Sequence, residues 1–197
     1  GAERVRQISV SLRTFSRADS HTKVSYNLHE GLDTTLMILQ HRLKPNSHRP
    51  AIQVIKDYGD LPLISCYAGP INQVFMNLLS NSIDALDEFN VKHERSFTEI
   101  EKSPNQIRIG TRKIEPDWVE IRIGDNADGI ADFVKQHLFE SFITTKPVGK
   151  GTGLGLSISH SIIVKKHGGV LECFSSWEKG TEFVIKLPVD AGGEDGG

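Results

Sequence analysis

The chain has 197 residues, of which 38% are apolar and 24% charged, and its formal net charge is −2. That is enough apolar material for one modest core with an appendage, and the near-neutral balance excludes the broad basic surface that nucleic-acid binders use. No apolar run reaches the length of a membrane span, no signal peptide stands at the start, and Cys66 and Cys173 lack metal-ligand spacing, so both are expected to be small buried thiols in a reducing cytoplasm.

In chain order, Val5, Ile8, Leu12 and Phe15 recur at helical a/d spacing, either a bundle seam or an amphipathic helix folded back on the same domain. A helix is expected near Leu28 to Leu43 and a strand near Ile52 to Lys56. A second helix, near Gly69 to Phe89, places Ile71, Val74, Phe75, Leu78, Leu79, Ile83 and Leu86 on one broad face. Asn77, Asn81, Asp84 and Glu88 form a stripe roughly opposite. Two readings stand for that stripe. It is a solvated face, or it is a row of amide and carboxylate oxygens suited to a hard cation such as Mg²⁺. Mid-helix asparagine costs a few tenths of a kcal/mol relative to Lys or Glu, roughly, which argues against solvation alone.

The stretch from Asn90 to Gln106, with Lys92, Glu94, Arg95, Glu99, Glu101 and Lys102, is a polar excursion that suggests no chemistry. Strands follow near Ile107 to Arg112 and Trp118 to Gly124, the second ending at Asp125, with a tight turn at Gly129. A carboxylate at a strand end either bonds its own backbone in an Asx turn or accepts a donor inside a pocket, and the exocyclic amine of adenine is such a donor. Gly149, Gly151, Gly153 and Gly155 alternate ahead of a helix near Leu156 to His167. A flexible linker and a phosphate-cradling loop both use such glycines. The pattern fits neither a Walker loop, which needs Ser or Thr after Gly-Lys, nor a Rossmann turn, which follows a strand. Strands near Val170 to Ser175 and Thr181 to Leu187 close the chain. Their alternation predicts a sheet with one covered face and one wet face.

In this order and spacing, the motifs resemble the sensor histidine kinases of two-component systems. More broadly, they resemble the ATPase fold shared with DNA gyrase and other type II topoisomerases, dimeric ATP-driven chaperones and MutL-type repair proteins. The asparagine helix is similar to the family's N box, Asp125 to Gly129 to its first glycine box, Leu138 to Lys146 to its F box, and Gly149 to Gly155 to its second glycine box. Gly180-Thr181-Glu182-Phe183 and the residues through Pro188 look like its closing strand. The match covers most of residues 50 to 189. The implied fold is an α/β two-layer sandwich (α+β): a mixed, largely antiparallel sheet covered on one face by helices, with a mobile ATP lid.

By that resemblance Asn81 binds Mg²⁺, Asn77 supports it or the phosphates, and Asp84 belongs to the ATP site. Asp125 takes the adenine amine, with Gly129, Ile130 and Thr181 beside it. The lid runs from about Ala131 to Lys150, anchored by Phe139 and Phe142, with Lys146 and Lys150 near the phosphates. Gly151, Thr152, Gly153, Leu154, Gly155 and Leu156 complete the ATP site. Ala127 departs from the pattern, standing where the family has a glycine. Hydrolytic relatives carry a Glu four residues before the metal-binding Asn, as general base. Here that residue is Asn77, so the resemblance implies phosphoryl transfer to an external histidine rather than to water, with a nucleotide-binding regulatory module that transfers nothing and an ATPase of the same fold as the alternatives.

None of the eight histidines has the family's phosphoacceptor setting. His41, in His41-Arg42-Leu43-Lys44-Pro45, has Arg where the acid belongs and is expected to be a surface helix residue. Residues 1–20 resemble the end of the second dimerisation helix with its linker, 21–189 the catalytic ATP-binding domain, and 190–197 a disordered tail. The implied partners are the parent's dimerisation and phosphoacceptor domain and a response regulator. The parent is expected to be a homodimer, cytoplasmic or attached to a membrane, and the chain alone a monomer or weak dimer.

Overall fold

The computed structural model describes residues 22–114, 116–140, 154–176 and 180–190. The N-terminal seam, the linker, Phe142, Lys146, Lys150, Gly151, Thr152, Gly153 and the tail from residue 191 lie outside them. A five-stranded sheet runs in the order β2 (Gln53–Tyr58), β4 (Gln106–Ile114), β5 (Trp118–Asp125), β7 (Gly180–Pro188), β6 (Val170–Ser176). β2 pairs parallel with β4 and the other three ladders are antiparallel. All five strands fall where the alternation put them. Ile107, Ile109, Val119, Ile121, Ile123, Phe183, Ile185 and Leu187 point to the helices and are buried.

The opposite face is polar, and its centre is Glu120, buried beneath Arg112 and Arg122, whose Nε atoms each lie 2.7 Å from Oε1. Burial works to raise the Glu120 carboxyl, but the hydrogen bonds from the two arginines win and hold it below the usual range.

Three helices cover the other face. α1 (Leu28–Ile38) starts at Asn27, whose side chain accepts the His29 amide. A single helix running on to Leu43 is expected, but the structure divides it. It stops at Leu39 (ψ 0°) and resumes as α2 (Gln40–Leu43). Leu39 turns into the core, and Arg49, itself buried, donates from Nη2 to the Arg42 carbonyl (2.6 Å) and from Nη1 to the Lys44 carbonyl (3.2 Å). The end of α2 is thus capped from a loop. His41 is exposed there, as expected.

The long asparagine helix α3 (Ala68–Lys92) buries all seven of its expected core residues. Pro70 sits in its first turn, where a missing N–H is tolerated. The Tyr67 amide just ahead of the helix donates to Nε2 of His167 (3.0 Å), whose Nδ1 donates to the Ile162 carbonyl (2.7 Å). Burial pushes the His167 imidazole down, so it stays neutral and able to accept.

The polar excursion contains a short helix, α4 (Phe97–Lys102), with a Ser96–Glu99 capping box and Ile100 buried. α5 (Asp132–Lys135) follows β5. The last helix, α6 (Gly155–His160), widens into a π turn (Ser161–Lys166) that brings both Ile162 and Ile163 inward before Gly168 ends it at φ +63°. Strands β1 (Val24–Tyr26) and β3 (Ile64–Cys66) form a small antiparallel sheet that the sequence reading lacks. It joins the main sheet through Ser65, whose amide donates to the Val189 carbonyl (2.9 Å).

Candidate functional site

Asp125 ends β5 and pairs in register with Thr181 of β7. Two unusual backbones frame it, one in the turn that follows and one at the start of β7. Gly129 stands at φ +86°, and Gly180 at φ +85° passes so close that an added Cβ would lie 2.0 Å from the Asp125 carbonyl oxygen. Ala127 takes no positive φ, because among the described non-glycine residues Glu94 does so alone. Its methyl packs into the core at 4% exposure, so the departure at this position carries no backbone strain.

The Asp125 carboxylate accepts the Ala127 amide at 3.1 Å. Burial pushes it up to about 6, against the opposing pull of the Ala127 amide, Ser82 and the Thr181 amide. Ser82, on α3, lies close enough to act on Asp125, yet its buried hydroxyl completes no hydrogen bond. A desolvated carboxylate beside an orphaned hydroxyl is a site one polar group short. A ligand edge with a donor for Asp125 and an acceptor for Ser82 meets both needs, and the amine and ring nitrogen of adenine form such an edge. These residues therefore fit a nucleotide base.

A cavity of about 600 Å³ opens here, within the range of small-ligand sites. Asp125, Thr181, Cys173, Ser175 and Lys135 are among its lining residues together with Arg108, Phe174 and Glu182 of the polar sheet face, whereas Ser82, Gly129 and Ile130 are not. Ser175 is a joint in its wall: Oγ accepts the Ile130 amide (2.6 Å) and lies 3.2 Å from Thr181 Oγ1. Its carbonyl accepts Lys135 Nζ (2.8 Å). Sequence reasoning missed Ser82, Lys135 and Ser175; the signal for Ser175 was a hydroxyl on the inward side of an alternating strand. Cys66 is buried as expected, whereas Cys173 is half-buried in the cavity wall, where burial pushes its thiol up to about 12.

Asn77 and Asn81 are not among the lining residues of that cavity. Asn77 Nδ2 donates to the Gly155 carbonyl (3.1 Å) and to Ser159 Oγ (3.2 Å), tying α3 to the first turns of α6. Asn81 lies half-buried one turn further along. Asp84 is engaged by Arg42, Nη2 to Oδ1 at 2.5 Å, so the polar stripe is part helix contact and part open face. Phe139 stacks on His160 of α6 (centroids 4.9 Å) and packs against the core beside buried Leu138. Leu156 packs on the core as well. Of the expected site residues, the structure thus brings Asp125, Gly129, Ile130 and Thr181 together at the base end, and Asn77 and Gly155 together beside them.

A family model described as "Histidine kinase-, DNA gyrase B-, and HSP90-like ATPase" matches residues 67–191. The two-component sensor PprA of Pseudomonas aeruginosa is 32% identical over 98% of the chain, which spans 20% of that protein's length. The sensory histidine kinase/phosphatase NtrB of Rhizobium leguminosarum bv. phaseoli is 28% identical over 98% of the chain, which spans 49% of NtrB. The nucleotide-free catalytic domain of the histidine kinase ThkA shares the fold at a TM-score of 0.68 and 24% identity, over 86% of this chain and 97% of that one.

Proposed function

The chain belongs to the histidine kinase-, DNA gyrase B- and HSP90-like ATPase family, and from that membership we propose that it is the catalytic domain of a two-component sensor kinase. It binds Mg-ATP and presents the γ-phosphoryl group to a histidine on an upstream dimerisation domain. Asp125, backed by Thr181 and Ser82, receives the base. Asn81 contributes an amide oxygen to Mg²⁺, which offsets the charge that gathers on the phosphates during transfer. A parent homodimer in the cytoplasm, or at a membrane, and a response regulator as the next acceptor complete the reading. ThkA, 18% identical with a TM-score of 0.65, has been solved with the response regulator TrrA.

The observation that carries transfer over hydrolysis is Asn77. It stands where a hydrolase of this fold needs a proton acceptor, and its amide nitrogen is spent as a donor to Gly155 and Ser159. Nothing about Ala127 favours a module that has lost nucleotide binding, since its backbone is ordinary and its methyl is buried.

The test combines the chain with Mg²⁺, γ-labelled ATP and a separately prepared dimerisation domain of a sensor kinase parent. Label on that domain's histidine, with negligible phosphate release in its absence, is the expected result. Steady phosphate release without an acceptor would identify a hydrolase instead. Binding of ATP with no transfer to any acceptor domain would leave only a regulatory module.

A further inference from the structure

The stretch from the last turn of α3 to the start of β4 is polar, and its groups converge on the loop that follows Asp125. Lys92 Nζ lies 2.6 Å from Asp128 Oδ2, and His93 Nε2 lies 2.8 and 2.9 Å from the two oxygens of the same carboxylate. Asp128 sits between buried Ala127 and Gly129, its side chain 14% exposed. Two residues earlier, Asn126 Oδ1 accepts the Gln106 amide (2.8 Å) and Nδ2 donates to the Pro104 carbonyl (3.0 Å). The loop is therefore pinned from both ends of the excursion.

We propose that Lys92 and His93 act as a latch, holding Asp128 against the C-terminal end of the asparagine helix and so positioning the Asp125–Gly129 loop for the base. The inference rests on the nucleotide reading of this site. Single ion pairs with exposed partners contribute little by themselves, and Lys92 and His93 are both about half exposed. Here two donors share one acceptor, and that acceptor belongs to the segment that frames Asp125. His93 is the residue just past the end of α3, where the helix dipole favours positive charge, and its ring is set by Phe89 (centroids 4.7 Å). Ser82, which faces Asp125, is on the same helix. The latch thus fixes the distance between the two polar groups that the base must satisfy together. A loop ordered before the ligand arrives spares the ordering cost at binding, which shows as affinity.

Two readouts test this on the whole chain: calorimetric affinity for Mg-ATP, and amide hydrogen exchange of residues 125–130 without nucleotide. Asp128→Ala, which loses both donors, is expected to weaken ATP binding about fivefold, His93→Ala, which leaves Lys92 on the carboxylate, about two- to threefold, and both to speed loop exchange. The double variant should be no worse than Asp128→Ala alone, because the two residues act through one contact. His93→Gln, which keeps a donor for the carboxylate, should recover most of the affinity. Wild-type affinity and exchange in His93→Ala, or additive losses in the double variant, would overturn the latch. A wild-type chain that binds no ATP would sink the nucleotide reading alone, since loop exchange in His93→Ala still decides whether the latch exists.

Discussion

Asp125 is destabilising in the unliganded protein, and the sign of its shift says how this shows. Its carboxyl titrates near 6 in the folded chain against 3.8 ordinarily, so the folded state holds the proton more tightly. Stability from the protonated form is fully present below about 3.8 and is lost as pH rises through about 6. Asp125→Asn, which keeps an oxygen for the Ala127 amide, is therefore expected to stabilise the unliganded chain at pH 7.5 by on the order of 1–3 kcal/mol. Melting curves should show the advantage shrinking between pH 6 and pH 4. The same variant should bind ATP poorly, because its amide presents donors to a donor. An unchanged melting difference across that range would refute the assignment. At this scale the sequence showed the acid at the strand end and the glycine turn after it. Beyond the inward hydroxyl of Ser175 on its alternating strand, it could not show Ser82 or Lys135, because the roles of all three come from three different elements meeting.

Among the elements, the turn into β7 shows what a glycine is for. Gly180 and Gly168 both take positive φ, but a Cβ at Gly168 meets nothing within 4 Å, while one at Gly180 collides with the Asp125 backbone. Gly168→Ala should cost about 1 kcal/mol, the price of left-handed backbone alone. Gly180→Ala should cost more than about 2 kcal/mol, since strain and collision add and β5 must separate from β7. Urea denaturation of the two variants checks the ranking, and equal losses would contradict it. Length decides which elements are legible in sequence. The 25-residue α3 and the nine-residue β7 carry several periods of their patterns. Strands β1 and β3 have three residues each, too few to display an alternation. The break at Leu39 was hidden because Arg49, which caps the short helix after it, lies outside the helical pattern.

For the whole molecule, one core spans the sheet and the helices among the described residues, with Phe75 fully buried in the N-terminal third of α3. Phe75→Ala is expected to cost about 3–5 kcal/mol and to lower the urea midpoint with its slope unchanged. Circular dichroism and tryptophan fluorescence should then report one transition, and two separated transitions would show that the helices and sheet unfold independently.

Periodicity and glycine placement determined the five main strands, the buried face of the asparagine helix and the location of Asp125, because each follows from a pattern local to one segment, and the order of the motifs along the chain gave the fold class by resemblance. Tertiary structure alone decided that Asn77 holds Gly155, that Arg42 occupies Asp84, and that an excursion with no evident chemistry grips Asp128. Those contacts join residues between 35 and 78 positions apart. Polar side chains at such separations carry no mark of their partners, since any exposed lysine, histidine or aspartate satisfies the same local rules until the chain has folded.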